Sequence, residues 1–342
     1  MENRHYIIPI FVPQYGCPHS CVFCNQSSIT GSHDKIDYSY VKSTVAKFLE
    51  TMDKNNSTIE ISFFGGTFTG IPIEYQKELL KAALEYKESG KIDFIRLSTR
   101  PDYINKEILD NLKAYKVDII ELGIQSMDDD VLKASGRGHN RLDSIKASNL
   151  IKSYGFILGH QIMPGLPKDT MEKDIKTCEE SIKLKPDICR IYPTLIIKQT
   201  VLEKMYLDGS YIPYSLDKAV EISSLLYKML KKNNIKIIRV GLQPTEEINI
   251  GKEIVAGPFH PAFRELVEGN LINKIIEDEI NESSVNEINI KINSKDISKL
   301  YANKKHYFNN LKANNPNKTF QVKQNNSIQR GFININSNLK EY

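Results

Sequence analysis

"YIIPIFVPQYGCPHSCVFCNQ", residues 6–26, sets an apolar run directly against a loop holding three cysteines, Cys17, Cys21 and Cys24. The run is rich in Ile, Val and Phe, ends at Pro13, and has no small-residue cleavage site after it. It reads as a strand rather than a signal peptide. The cysteine loop therefore follows the C-terminal end of the first strand. Parallel βα folds carry their active sites at that end.

Outward from this stretch, further strands are expected at "TIEISFF" (58–64), "FIRLST" (94–99), "DIIELGIQ" (118–125), "FILGHQIM" (156–163), "ICRIYPTL" (188–195) and "IKIIRVGL" (235–242). Between them, apolar residues recur at helical spacing over 38–52, 75–87, 169–184 and 216–232. Strand–helix alternation of this kind argues for βα units and a parallel sheet, and six or seven units suit an incomplete barrel. After about residue 270 the rhythm changes. Strands are expected at 287–293, 320–324 and 331–336, with a helix over 297–312. The expected division is a catalytic barrel over 1–270 and a small basic C-terminal α+β extension over 271–342.

The chain has 342 residues, 40% of them hydrophobic and 26% charged, which supports a sizeable core. No apolar run reaches the ~20 residues needed to cross a bilayer, so no membrane partner is expected. The expected compartment is the cytoplasm, where thiols stay reduced and clustered cysteines suggest metal or catalysis before disulfides. The net charge is +4; residues 271–342 carry 11 Lys+Arg against 7 Asp+Glu, so the surplus resides there. A basic tail hints at a polyanion-facing surface; a Lys/Asn-rich tail shaped by codon composition is the plainer alternative.

Three cysteines in one loop admit several chemistries. A disulfide would leave a thiol over. Structural zinc takes four ligands, usually as two separated pairs, and His19 would have to be the fourth. A thioredoxin-type "CVFC" has no need of Cys17. An iron–sulfur cluster held by three thiolates leaves one iron without a protein ligand, free to accept a substrate or cofactor.

The spacing C-x3-C-x2-C, with Phe23 before the last cysteine, resembles the signature of the radical S-adenosylmethionine (SAM) superfamily. The resemblance implies a [4Fe–4S] cluster on Cys17, Cys21 and Cys24, whose open iron is chelated by SAM, and reductive cleavage of SAM to a 5′-deoxyadenosyl radical. It further implies a (β/α)6-type partial TIM barrel whose later strand ends grip SAM. Gly65, Gly66 and Thr67, in "FFGGTFTG", match the segment that binds the methionyl ammonium. Ser98 falls where relatives place a polar residue, often Glu, on the ribose. Gln125, in "ELGIQS", matches a ribose contact, Arg137, in "SGRGHN", the arginine that pairs with the SAM carboxylate, and Gln161 a further polar contact. Each alone reads as readily as a turn, cap or solvated residue; the series in chain order is what carries weight. Arg100 and Asp102 equally suit a turn brace. His139 and His160 read first as satisfied polar residues, and Cys178 and Cys189 as core.

The phrases "STRPDYI", "ELGIQSMDDDVLKASGRGHN" and "HQIMPGLP" look like the branch that contains the elongator catalytic subunit, with the oxygen-independent coproporphyrinogen oxidases as wider relatives. The similarity covers about residues 5–270. Two features depart from these groups: the first two cysteines are closer together than in the elongator subunit, and position 26 is Gln where the oxidases often add a cysteine. The residues after 270 are too few for the elongator acetyltransferase domain and lack a Gly-rich acetyl-CoA loop. The branch implies an RNA substrate, tRNA, and the superfamily an external one-electron reductant, flavodoxin or ferredoxin. The alternatives are a small molecule such as a tetrapyrrole precursor, or a non-enzymatic iron–sulfur carrier or zinc module.

Overall fold

The computed structural model describes residues 4–12, 17, 21–25, 36–53, 57–244, 248–249 and 251–342. His19 and Gln26 lie outside them. Seven strands form one sheet: β1 (Arg4–Val12), β2 (Ser57–Gly65), β3 (Phe94–Thr99), β4 (Ile119–Gln125), β5 (Ile157–Ile162), β6 (Ile188–Ile191) and, after the two-residue β7 (Ile196–Ile197), β8 (Lys236–Val240). Every ladder in it is parallel, and each strand pairs with its chain neighbour in the order β1-β2-β3-β4-β5-β6-β8. A sheet wound in one direction by right-handed crossovers keeps its helices on one face, and the other face curls around a lumen. Among the described residues no ladder joins β1 to β8, so the barrel is partial, as expected.

Alternation along each strand sorts side chains between helices and lumen. In β1, Ile8, Ile10 and Val12 are buried beneath the helices, whereas Ile7, Pro9 and Phe11 line the lumen. The four helices expected from sequence form over Tyr38–Thr51, Ile73–Glu88, Met171–Lys183 and Leu216–Lys232. Side-chain caps define where several begin: Asp37, Thr170 and Ser215 each accept a backbone N–H of the first turn.

Local chemistry moves several boundaries. The sixth strand stops at Ile191 rather than 195, because Pro193 cannot donate to a ladder. The seventh stops at Val240, where Gly241 turns the chain at φ 76° against the Phe263 side chain. The helix expected over 297–312 is broken into Ile297–Leu300 and His306–Asn314 by three consecutive left-handed residues, Asn303, Lys304 and Lys305. Residue 270 falls inside the continuous helix Phe263–Asn281 rather than in a linker. The C-terminal sheet has β10 (Glu287–Ile292), β11 (Thr319–Gln324) and β12 (Phe332–Ile335) as expected, plus β13 (Asn338–Glu341), in the order β11-β10-β12-β13. Its basic surplus is partly neutralised: Lys299 pairs with Glu268 and Asp296, Arg330 with Asp296, and Lys340 with Glu279.

Candidate active site

A cavity of about 690 Å³ opens at the C-terminal ends of the strands and runs down into the lumen. All ten residues singled out from sequence as cluster or SAM ligands line it together: Cys17, Cys21, Cys24, Gly65, Gly66, Thr67, Ser98, Gln125, Arg137 and Gln161. These positions span nearly half the chain in sequence. The parallel winding brings them to one rim.

The cysteine loop is held from two sides. Val22 N–H donates to the Ser135 carbonyl at 3.0 Å, and Leu202 N–H donates to the Val22 carbonyl at 2.7 Å. The Asn25 amide donates to the Lys198 carbonyl at 3.0 Å. Val22 and Phe23 pack on Ile196, Leu202 and Tyr211. Cys17 Sγ lies 2.9 Å from Thr67 Oγ1. At the end of β2, Gly65 adopts φ 104°, and a Cβ there would stand 2.5 Å from the Val12 carbonyl oxygen. Only glycine fits so close to β1 in that conformation, and Gly66 N–H then donates to the same carbonyl at 3.1 Å.

Arg137 joins the rim to the cysteine loop. Its Nη2 donates to the Gly123 carbonyl at 2.6 Å and its Nη1 to Cys21 Sγ at 3.3 Å, while its buried Nε has no protein partner. Gln125, itself left-handed at φ 63°, accepts a hydrogen bond from Gln161 Nε2 at 3.2 Å. Arg100 and Asp102 form the turn brace, with hydrogen bonds of 3.0 and 2.9 Å. Burial favours the neutral form of Asp102, but Arg100 outweighs it and holds the carboxyl below its ordinary range.

Neither histidine lines the cavity. His139 is buried with Nε2 3.2 Å from the Ile124 carbonyl, and burial, reinforced by Arg137, pushes its pKa down to about 3. His160 lies on the helix side between Ser148 and Ser181, and burial lowers it to about 3 as well. Burial pushes the Cys178 thiol up to about 12 and raises Cys189, so neither is a poised thiolate. Tyr192 lines the cavity; Thr194 is buried outside its lining.

Sequence reading missed a charged layer in the lumen. Arg96 bridges Glu60, at 2.8 Å, and Glu121; Arg190 meets Glu121 at 2.7 Å and donates to the Tyr192 hydroxyl at 3.0 Å. Gly159 makes room for this, since a Cβ there would stand 2.7 Å from Glu121 Cγ. The available signal was a charged residue in the interior of each of these strands: Glu60, Arg96, Glu121, Arg190 and Arg239.

The donor set fits a cluster better than a single ion. All five cysteines are free thiols, and among the described residues no three His, Cys, Asp or Glu side chains gather around one metal position. A cubane does not ask for that, because each thiolate binds a different iron. The unpartnered Arg137 Nε and Arg100 Nη1 at the rim are donors that an anionic ligand would satisfy.

The described helices include none long and apolar enough to cross a membrane. Residues 11–180 match the Radical SAM superfamily and residues 186–273 the Radical_SAM C-terminal domain. A tRNA uridine(34) acetyltransferase of Methanocaldococcus jannaschii is 29% identical over 266 residues, 66% of this chain and 49% of that protein. An uncharacterized protein of the same organism is 35% identical over 224 residues, 61% of this chain and 67% of its own. Elongator complex protein 3 of Mus musculus is 26% identical over 261 residues, 63% of this chain and 48% of its own. The chain thus spans about half the length of several curated relatives it matches. Among solved structures, the Methanocaldococcus infernus Elp3 superposes with a TM-score of 0.62 at 25% identity, covering 82% of this chain and 64% of that one. Coproporphyrinogen III oxidase of Escherichia coli shares the fold, with a TM-score of 0.51 at 17% identity, over 68% of this chain and 53% of its own. The chain belongs to the radical SAM superfamily and is an enzyme whose cofactors are a [4Fe–4S] cluster and S-adenosylmethionine.

Proposed function

We propose that this enzyme modifies tRNA, with Cys17, Cys21 and Cys24 as the cluster ligands and the rim from Gly65 to Gln161 as the SAM cradle. The observation that carries the assignment of the site is Arg137, whose fork spans from the β4 carbonyl of Gly123 to the sulfur of Cys21. It ties the cysteine loop and the cradle into one cavity. Held by the three cysteines and the rim, the cluster and SAM would supply radical chemistry, with its electron drawn from an external reductant.

The residues themselves bind and orient. Gly65 and Gly66 let a ligand approach the backbone of the β2 turn. Arg137, anchored through both Nη atoms, keeps its Nε as a donor for a carboxylate. Gln125 and Gln161, already joined to each other, present their remaining amide groups to hydroxyls. The tRNA substrate is supported by the likeness to a tRNA uridine(34) acetyltransferase and to Elongator complex protein 3. A polycarboxylate tetrapyrrole would want a cluster of free arginines at the mouth. Of the arginines lining the cavity, Arg100 and Arg190 are already paired with Asp102 and Glu121, which favours RNA. The compartment we infer is the cytoplasm, where a reduced flavodoxin or ferredoxin supplies the electron.

The test is anaerobic. After reconstitution with iron and sulfide and reduction, the enzyme given SAM is expected to form 5′-deoxyadenosine, and Cys21→Ala to form none. A tRNA titration at low salt, where phosphate contacts are strongest, is expected to show binding. An intact cluster without SAM cleavage overturns the radical assignment, and failure to bind tRNA overturns the substrate.

A further inference from the structure

Four arginines line the cavity: Arg100, Arg137, Arg190 and Arg239. Three are engaged by the fold, Arg100 by Asp102, Arg137 by the Gly123 carbonyl and Cys21, and Arg190 by Glu121 and the Tyr192 hydroxyl. Arg239, on β8, is half-buried and donates to the neutral side-chain carbonyl of Gln243. Among the described residues it has no carboxylate partner. Among the described residues of the lumen, two carboxylates, Glu60 and Glu121, face three guanidiniums, Arg96, Arg190 and Arg239, one positive charge more than negative. His5 meets Glu60 from the exposed end and adds no negative charge.

The β6–β8 ladder sets Arg239 directly beside Arg190. Like charges paired across neighbouring strands repel, and an anion at Arg239 would relieve that. The adjoining wall is aromatic. Phe11 and Phe64 are register partners with ring centroids 6.4 Å apart, and the Arg190 guanidinium lies 5.3 Å over the Phe64 ring. Phe11 is 38% exposed, so its ring is available for stacking. The residues assigned to SAM stand on β2 to β5 and in the loop after β4. Arg190 on β6, Arg239 on β8 and Phe11 on β1, next to the open seam, carry no SAM assignment, and Phe64 flanks Gly65 at the end of β2.

A ligand suited to this wall offers one anionic group and one flat apolar face. A nucleotide offers both, a phosphate for the arginine fork and a base for the rings. We propose that this wall is a nucleotide subsite in which Arg239 holds a phosphate of the substrate RNA and Phe11 and Phe64 take the base. The proposal rests on the RNA-modifying reading above and names where the reacting nucleotide sits.

The experiment titrates uridine 5′-monophosphate and uridine into the reconstituted full chain with SAM bound, for the wild type, Arg239→Gln, Arg239→Lys and Phe11→Ala, with thermal unfolding recorded for each. The wild type is expected to prefer the monophosphate by about 10- to 100-fold, the span of a charge-assisted hydrogen bond. Arg239→Gln is expected to bring the ratio near one, Arg239→Lys to keep part of it, and Phe11→Ala to weaken both probes while preserving their ratio. Equal affinity of the two probes in the wild type overturns the subsite, as does a preference that survives in Arg239→Gln or failure of both probes to bind. A succinate arm separates phosphate from carboxylate: Arg239-dependent succinate binding without a monophosphate preference also overturns it. Formation of 5′-deoxyadenosine by the same wild-type preparation keeps the two readings apart, since product without a monophosphate preference sinks the subsite and leaves the radical enzyme standing.

Discussion

Single side chains at the rim carry the sharpest tests. Arg137→Met removes the guanidinium that spans Gly123 and Cys21, and SAM binding by the reconstituted protein is expected to weaken about 10- to 100-fold, read by equilibrium dialysis. Gly65→Ala forces a side chain into φ 104° against the Val12 carbonyl, and denaturant unfolding is expected to report a loss of about 1–3 kcal/mol. A pH effect lies away from the cavity. Burial, and the charge of neighbouring Asp169, push Asp174 up to about 9, and the Tyr214 hydroxyl donates to it at 3.0 Å. Because the folded state holds the proton and the unfolded chain releases it near its ordinary pKa, stability is expected to fall as pH rises from about 4 to about 9. Asp174→Asn should flatten that slope in urea unfolding across the range. The cysteines could be named from sequence because their spacing is local, and the rim residues because short motifs carry the family resemblance. Asp174 could not, since its protonation depends on burial by the tertiary fold and it is met by a phenol from another segment.

Among the secondary elements, the lumen layer shows how strands cooperate. Glu121 on β4 is the hinge of the network, touching Arg96 on β3 and Arg190 on β6 across the gap left by Gly159 on β5. Burial works against the charge of Arg190, yet Glu121 and Tyr192 outweigh it and raise its pKa. Glu121→Ala would leave the buried Arg190 guanidinium without a carboxylate partner and Arg96 with Glu60 alone, at a cost of roughly 3–5 kcal/mol, measurable by chemical unfolding. Strand positions were readable because apolar, β-branched runs bounded by turns have few other readings. Strand ends were less so. Ile191 and Val240 end their strands because of Pro193 and Gly241, whose effects are local but whose exact reach depends on packing.

For the molecule as a whole, the helix Phe263–Asn281 binds the barrel to the C-terminal sheet. Val267, Leu271, Ile272 and Ile276 are buried along it, and Glu268 in its middle pairs with Lys299 of the C-terminal region. A chain ending at residue 270 would cut this helix after two turns and lose Leu271, Ile272 and Ile276 from the core. It is expected to lose the cooperative thermal unfolding of the full chain, and an equally cooperative melt would mean that the barrel is complete without them. The composition change at 270 is real, but the sequence does not mark it as a break because the helical apolar pattern continues across it.

The sequence by itself determined the parallel βα architecture, the cysteine loop after the first strand and the series of candidate ligands at later strand ends. The first two are written in short-range pattern, apolar period, turn residues and cysteine spacing, and the ligand series in the resemblance of short motifs to a known family. Only the tertiary structure decided which of those residues share a cavity, that neither histidine lines it, and that Arg239 stands beside Arg190. These depend on distances between segments far apart in the chain, which are set when the sheet winds and the side chains alternate between helix layer and lumen.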